Sequence, residues 1–147
     1  MPMLLRVVFD TNQIVGAGSS WLVHGKPDPD PNIHRRVLIH VAEHHQGLYS
    51  GKLVGEYLEK LVDRNHPPGR AVQLMAYIMG AFERVEITTT MAPVRPTDLD
   101  DEVFLLCALD GSADYLISED HSLTDLVGHY SKPIIGRCAA LAAVLGA

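Results

Sequence analysis

Two cysteines are all this chain has, at Cys107 and Cys138, and their separation fits neither a CxxC pair nor a metal-ligand spacing. A disulfide framework is therefore a poor fit, and both thiols are expected to be reduced and buried in a cytoplasmic protein. No stretch approaches the 18 apolar residues of a membrane span, and the apolar-leaning start MPMLLRVVFD is too short for a secretory signal. Basic residues are scarce: twelve Lys and Arg face eighteen Asp and Glu, a net charge of -6. Such a chain does not hold nucleic acid by a broad basic face, although it can meet phosphate through metal ions. Charged residues are only 20% of the total and no internal repeat is visible, which argues against disorder and against a solenoid.

What remains is 147 residues, 47% of them hydrophobic. That suits one domain, residues 1–147, with a core of its own. Leu5, Val7, Val8 and Phe9 form a short apolar strand ending at Asp10. A helix capped by Thr11 or Asn12 follows, and Gly16-Ala17-Gly18-Ser19-Ser20 should stop it early. The proline-rich stretch to Pro31 predicts a long loop over 19–31. Asn32 caps a helix from Ile33 to about His45, with Gly47 as its stop. Leu48-Tyr49-Ser50 reads as a strand. Leu53, Tyr57 and Leu61 mark an amphipathic helix, a third helix spans about 70–82, and Val85–Thr89 alternates as a strand does. A helix over about 101–109, a strand at Tyr115–Ser118, a turn of helix near 123–127, a strand at Ile134-Ile135 and a helix over 138–145 complete the chain. Strands alternate with helices, which predicts α/β architecture: a mainly parallel, roughly five-stranded sheet covered on both faces. Sites in such sheets lie beyond the carboxyl ends of the strands, where Asp10 and Asp120 both fall.

The acids outnumber their potential partners. Asp98, Asp100, Asp101 and Glu102 crowd one helix start, where simple capping would also explain them. Glu56 and Glu59 both lie off the apolar stripe of their helix, and periodicity does not choose between them. Asp10 follows directly on a buried strand and needs a partner that nothing but Arg6 offers nearby. Too many carboxylates for the available bases suggests a hard divalent cation.

Val7-Val8-Phe9-Asp10-Thr11-Asn12, then Ser50 followed by Glu56-Tyr57-Leu58, then Asp98 to Leu105 and Ala113 to Asp120, resemble the four motifs of the PIN-domain nucleases. Asp101 and Asp120 stand nineteen positions apart, as that family has them. The nearest resemblance is to the bacterial and archaeal toxins of toxin–antitoxin pairs. It implies a three-layer α/β/α fold and a cytoplasmic endoribonuclease that uses one or two Mg²⁺ or Mn²⁺ ions. Asp10, Glu56, Asp101 and Asp120 match the four catalytic, metal-binding acids, and Asn12 and Ser118 the polar positions that support them. The resemblance further implies an RNA substrate, products with a 5′-phosphate and a 3′-hydroxyl, and an antitoxin partner. The apolar third helix adds a homodimer. Three positions depart from the pattern: Gln13 replaces a branched apolar residue, Glu119 adds negative charge before the fourth acid, and Ser122 stands where this branch often has another Asp.

Local cations must then guide the RNA. The candidates are Lys26, Arg35, Arg36 and Lys52. Other readings are weaker. His40-Val41-Ala42-Glu43-His44 matches an inverted zinc-peptidase motif without its distant third ligand. Asp10-Thr11-Asn12 lacks the second carboxylate of a haloacid-dehalogenase-type phosphatase. A PIN scaffold that binds protein without cutting RNA is the alternative from another class.

Overall fold

The computed structural model describes residues 3–21, 26 and 28–147. Five strands form one all-parallel sheet: β1 (Arg6–Phe9), β2 (Gln46–Tyr49), β3 (Glu83–Arg84), β4 (Tyr115–Ile117) and β5 (Ile134–Gly136). Their spatial order is β3-β2-β1-β4-β5. The sequence runs outward from β1 to one edge, then returns to its other side. The strand order therefore reverses at β1, and a crevice opens between the carboxyl ends of β1 and β4. Val7 pairs with Tyr115 and Phe9 with Ile117, so Asp10 and Ser118 emerge side by side.

Among the described residues six α-helices lie between strands, α1 (Thr11–Ser19), α2 (Ile33–His44), α3 (Gly51–Asp63), α4 (Pro68–Ala81), α5 (Glu102–Asp110) and α6 (His121–Thr124), and a seventh, α7 (Cys138–Leu145), follows β5; a short 3₁₀ turn covers Leu99–Asp101. One continuous core joins Val7, Val8 and Phe9 of β1 to Leu53, Tyr57 and Leu61 of α3 and to Phe104, Leu105 and Ala108 of α5. Cys107 and Cys138 are both buried and unpaired. Burial pushes their thiols up to about 12 and about 11, which leaves them inert.

Several boundaries differ from the sequence expectation. Asp10 itself caps α1, its side chain accepting from the Gln13 amide, and the helix continues through Gly16 and Gly18 to Ser19. Those glycines allow close packing and do not end the helix. A Cβ at Gly16 would lie 2.6 Å from the His34 ring, and one at Gly18 would lie 3.0 Å from Leu61. Gly47 likewise belongs to β2, where a Cβ would lie 2.4 Å from Phe82, and His45 caps α2. The alternating run Val85–Thr89 is not a strand; β3 is only Glu83–Arg84. Asp110 holds the run instead, accepting from the amides of Thr88 and Thr89 at 2.7 and 2.9 Å and from the Thr89 hydroxyl at 2.5 Å. The proposed 19–31 loop begins after α1, and its residues 22–25 and 27 lie outside the described residues.

Candidate metal-dependent active site

Four separate pieces of chain deliver acids to one cavity of about 290 Å³. Asp10 arrives at the end of β1, Glu56 one face up α3, Asp101 at the entry to α5, and Asp120 after β4. All four line the cavity, with Asn12, Glu59, Asp98, Asp100 and Asp63 beside them. Periodicity left Glu56 and Glu59 open, and both face this space. Two cations also line it, Lys60 and Arg64. Neither is among the cations the sequence points to, Lys26, Arg35, Arg36 and Lys52. The signal was there: Lys60 and Arg64 follow Glu56 at four and eight residues, on the same side of a helix.

Asp10 is 4% exposed. Ser118, itself fully buried, donates its hydroxyl to Asp10 Oδ2, and the Gln13 amide donates to Oδ1 at 3.2 Å. Arg6 is not its partner; that guanidinium goes to Glu83 and to the Gly111 carbonyl. The same Ser118 oxygen accepts the Asp120 amide at 3.0 Å, so one hydroxyl spaces the first and fourth acids. Asp120 caps α6, accepting from the Ser122 amide at 3.0 Å. Ser122 also receives the Asp98 amide at 3.0 Å. Where an aspartate would add charge, Ser122 ties the third acidic segment to the fourth.

Burial pushes the Asp10 carboxyl up to about 6; its two donors oppose this, and the charges of Asp120 and Glu119 add to it. Burial, then Asp120 and Asp98, push Asp101 up to about 7. Asp101 Oδ2 is buried without a hydrogen-bond donor. Among the described residues no three His, Cys, Asp or Glu side chains are gathered as a ready-made cage for one ion. The site is an acidic bowl in which Asp10 and Asp120 have donors and Asp101 Oδ2 has none. A set made only of hard oxygens, one of them buried and orphaned, fits Mg²⁺ or Mn²⁺ and does not fit zinc.

The departures at Gln13 and Glu119 are partners. Gln13 Nε2 donates to Glu119 Oε2 at 2.8 Å, and its carbonyl oxygen meets His34 Nδ1 at 2.8 Å. The Cys138 amide, at the start of α7, lies 3.2 Å from both Glu119 oxygens. Glu119 therefore braces α1 and α7 and does not line the acid cavity, although its charge still raises Asp10. Arg35, Arg36 and Lys52 stand outside the acid cavity. Arg35 lies over the Trp21 ring, 5.6 Å from its centroid, and donates to the Asp28 carbonyl. Arg36 donates to the Pro31 carbonyl. Both line a different cavity, with Ile39 and Glu43. Lys26 is exposed and is not among the cavity's lining residues. His40 and His44 do share a face, but His40 Nε2 is bonded to the Leu145 carbonyl, as is that of His45. These rings clamp the end of α7.

A family model described as PIN domain matches residues 6–122, about four-fifths of the chain. No curated protein matches, and no solved structure matches.

Proposed function

The chain belongs to the PIN domain family, whose members are in general nucleases, and we propose that it is a divalent-metal-dependent endoribonuclease. One observation carries the reading: four acids from four chain segments line a single cavity with Lys60 and Arg64 on its wall. Asp10, Glu56, Asp101 and Asp120 would hold one or two Mg²⁺ or Mn²⁺ ions. When bound, such an ion supplies Lewis-acid charge at the scissile phosphate and makes water a better nucleophile. The protein's own contribution is placement. Ser118 fixes the spacing of Asp10 and Asp120. Lys60 and Arg64 offset the bowl's charge and hold a phosphate over it. Asn12 lies at the cavity wall, able to orient a water or a phosphate oxygen.

The test is cleavage of a labelled RNA with Mg²⁺ or Mn²⁺, with excess chelator, and with Asp101→Asn. The expected result is metal-dependent cutting to 5′-phosphate and 3′-hydroxyl ends, lost in the latter two. An uncut RNA at every metal concentration would favour the protein-binding scaffold instead. The likeness of the motifs to the toxin branch supports a toxin role, with a cognate antitoxin as partner; co-purification with the product of an adjacent short gene tests it. Exposed Val72 and Met79 on α4 support a homodimer, read by sedimentation. Among the described residues no helix is long and apolar enough to cross a membrane, and a cytoplasmic location is part of the proposal.

A further inference from the structure

The acid cavity does not end the groove along α3. A second cavity, of about 660 Å³, shares Glu56, Glu59 and Asp100 with it and continues toward the start of the helix. Lys52, Glu56, Lys60 and Arg64 recur every four residues, about 6 Å per step along the axis. Lys52 lines the second cavity alone, Lys60 and Arg64 the first alone, and Glu56 both. Along α3, cations therefore stand on both sides of Glu56.

The second cavity differs in its chemistry. Ile87, Val103 and Leu106 give it an apolar wall. The facing segment is fixed, because Asp110 holds the backbone of Thr88 and Thr89. Thr88 and Thr90 are exposed at its edge. Glu102, which lines the cavity next to Val103, is paired with Arg95 at 2.7 and 2.9 Å. The cavity is also lined by Gly55, in the middle of α3. A Cβ there would meet nothing within 4 Å, and the backbone does not require glycine. A mid-helix glycine weakens a helix; here its effect is to keep the groove open.

We propose that this second cavity is a nucleotide subsite for single-stranded RNA: an unpaired base over Gly55 against Ile87, Val103 and Leu106, with its phosphate on Lys52. The inference rests on the nuclease reading for the identity of the strand. A base that enters such a groove has left any partner strand, so a duplex is excluded. The single cation beside the carboxylates of Glu56, Glu59 and Asp100 suits one phosphate and a neutral ring. It does not suit an acidic peptide.

Gly55→Trp fills the groove from a position with free space, and Gly55→Ala controls for the change of backbone. The probe is a fluorescein-labelled decauridylate, its binding read by anisotropy in Ca²⁺, with a gel confirming that it stays intact. Thermal melts confirm that both variants fold. Binding at least tenfold weaker for Gly55→Trp than for Gly55→Ala is expected. Lys52→Ala should lower the slope of log K against log salt by about 0.7, one single-strand phosphate. Wild-type affinity in Gly55→Trp, or no binding by the wild type, overturns the subsite. Cleavage in Mg²⁺ separates the two readings. A wild type that cuts RNA while Gly55→Trp binds normally leaves the nuclease and removes the subsite. Groove-dependent binding without cleavage leaves the subsite and removes the nuclease.

Discussion

Replacing Asp10 by Asn isolates the energetic cost of the acidic bowl. The substitution preserves shape and the α1 cap: Asn Oδ1 can accept the Gln13 amide, and Nδ2 can donate to the Ser118 oxygen, although the Ser118 hydroxyl then loses the acceptor it has in Asp10. What it removes is the ionisable proton. Asp10 titrates at about 6 in the fold against an ordinary 3.8, chiefly through burial. The folded state holds that proton more tightly than the unfolded chain. Asp10 therefore costs nothing below about pH 3.8, costs progressively more as pH rises toward 6, and reaches a plateau above it. At 1.36 kcal/mol per pKa unit the plateau is about 3 kcal/mol. Asn carries no such penalty. Asp10→Asn should stabilise the metal-free protein at pH 8 by about 1–3 kcal/mol, or several degrees of melting temperature. The gain should shrink to about 0.5 kcal/mol by about pH 4. Urea unfolding of both proteins in chelator from pH 4 to 8 measures the difference directly, with other titrating groups cancelling. Metal at about 100 times its dissociation constant should add about 2.7 kcal/mol to the wild type and much less to the variant. A variant less stable than wild type at pH 8, or equally more stable at pH 4 and pH 8, would refute the reasoning and make the Asp10 charge structural.

Tyr57→Phe should cost about 1 kcal/mol in urea unfolding, because the buried Tyr57 hydroxyl donates at 2.6 Å to the Phe9 carbonyl. That bond ties the helix bearing Glu56 to the residue before Asp10, so RNA cleavage should fall as well. In a double-mutant cycle, Gln13→Leu and Glu119→Ala should couple by at least about 0.5 kcal/mol, since each removes the same 2.8 Å hydrogen bond; additive effects would show that the brace carries no energy. Lys60→Ala with Arg64→Ala should lower the salt slope of RNA binding by about 0.7 for each phosphate these side chains no longer neutralise. Arg35→Ala with Arg36→Ala should leave that slope unchanged, as neither guanidinium lines the acid cavity.

The placement of Asp10 and Asp120 was legible because it depends on alternation alone: an apolar run in a parallel α/β sheet must end at the same edge as its neighbours. Glu56 was half legible. Helical period puts Glu56, Glu59, Lys60 and Asp63 off the buried stripe of Leu53, Tyr57 and Leu61, but says nothing about which neighbour covers which flank. The positions of the cations were hidden for a related reason. Arg35 and Arg36 open a helix that follows a loop, which looks like a phosphate-binding place. In three dimensions that helix packs on α1, and Arg35 is occupied by Trp21 and Asp28. Glycine was the other source of error. Gly16, Gly18 and Gly47 read as breakers, yet Gly16 and Gly47 mark approaches too close for a Cβ and Gly18 a tight one, a long-range property that local propensity does not encode. Val85–Thr89 alternates as a strand does, but Asp110, more than twenty residues downstream, captures its amides.

Folding and charge meet in the same few atoms. Asp10 and Asp120 are the caps of α1 and α6, and each carboxylate gives one oxygen to a backbone amide. A helix start favours negative charge, so the caps lower the cost of keeping two acids at neighbouring strand ends. They do not satisfy them fully. Asp10 still sits well above its ordinary pKa, and Asp101, whose side chain caps nothing, sits higher still. The site therefore holds its acids partly compensated: enough hydrogen bonds to fix their positions, too few to settle their charge. Full compensation by Lys or Arg within the bowl would stabilise the apo fold and abolish the pull on a cation. Lys60 and Arg64 line the cavity from α3 without forming an ion pair to Asp10, Asp101 or Asp120, so the acids keep their demand for a cation while phosphate has a place to land. Moving a cation into direct pairing, for instance by Asn12→Arg, should raise apo stability and lower metal affinity together, a trade-off that one titration calorimetry series can read.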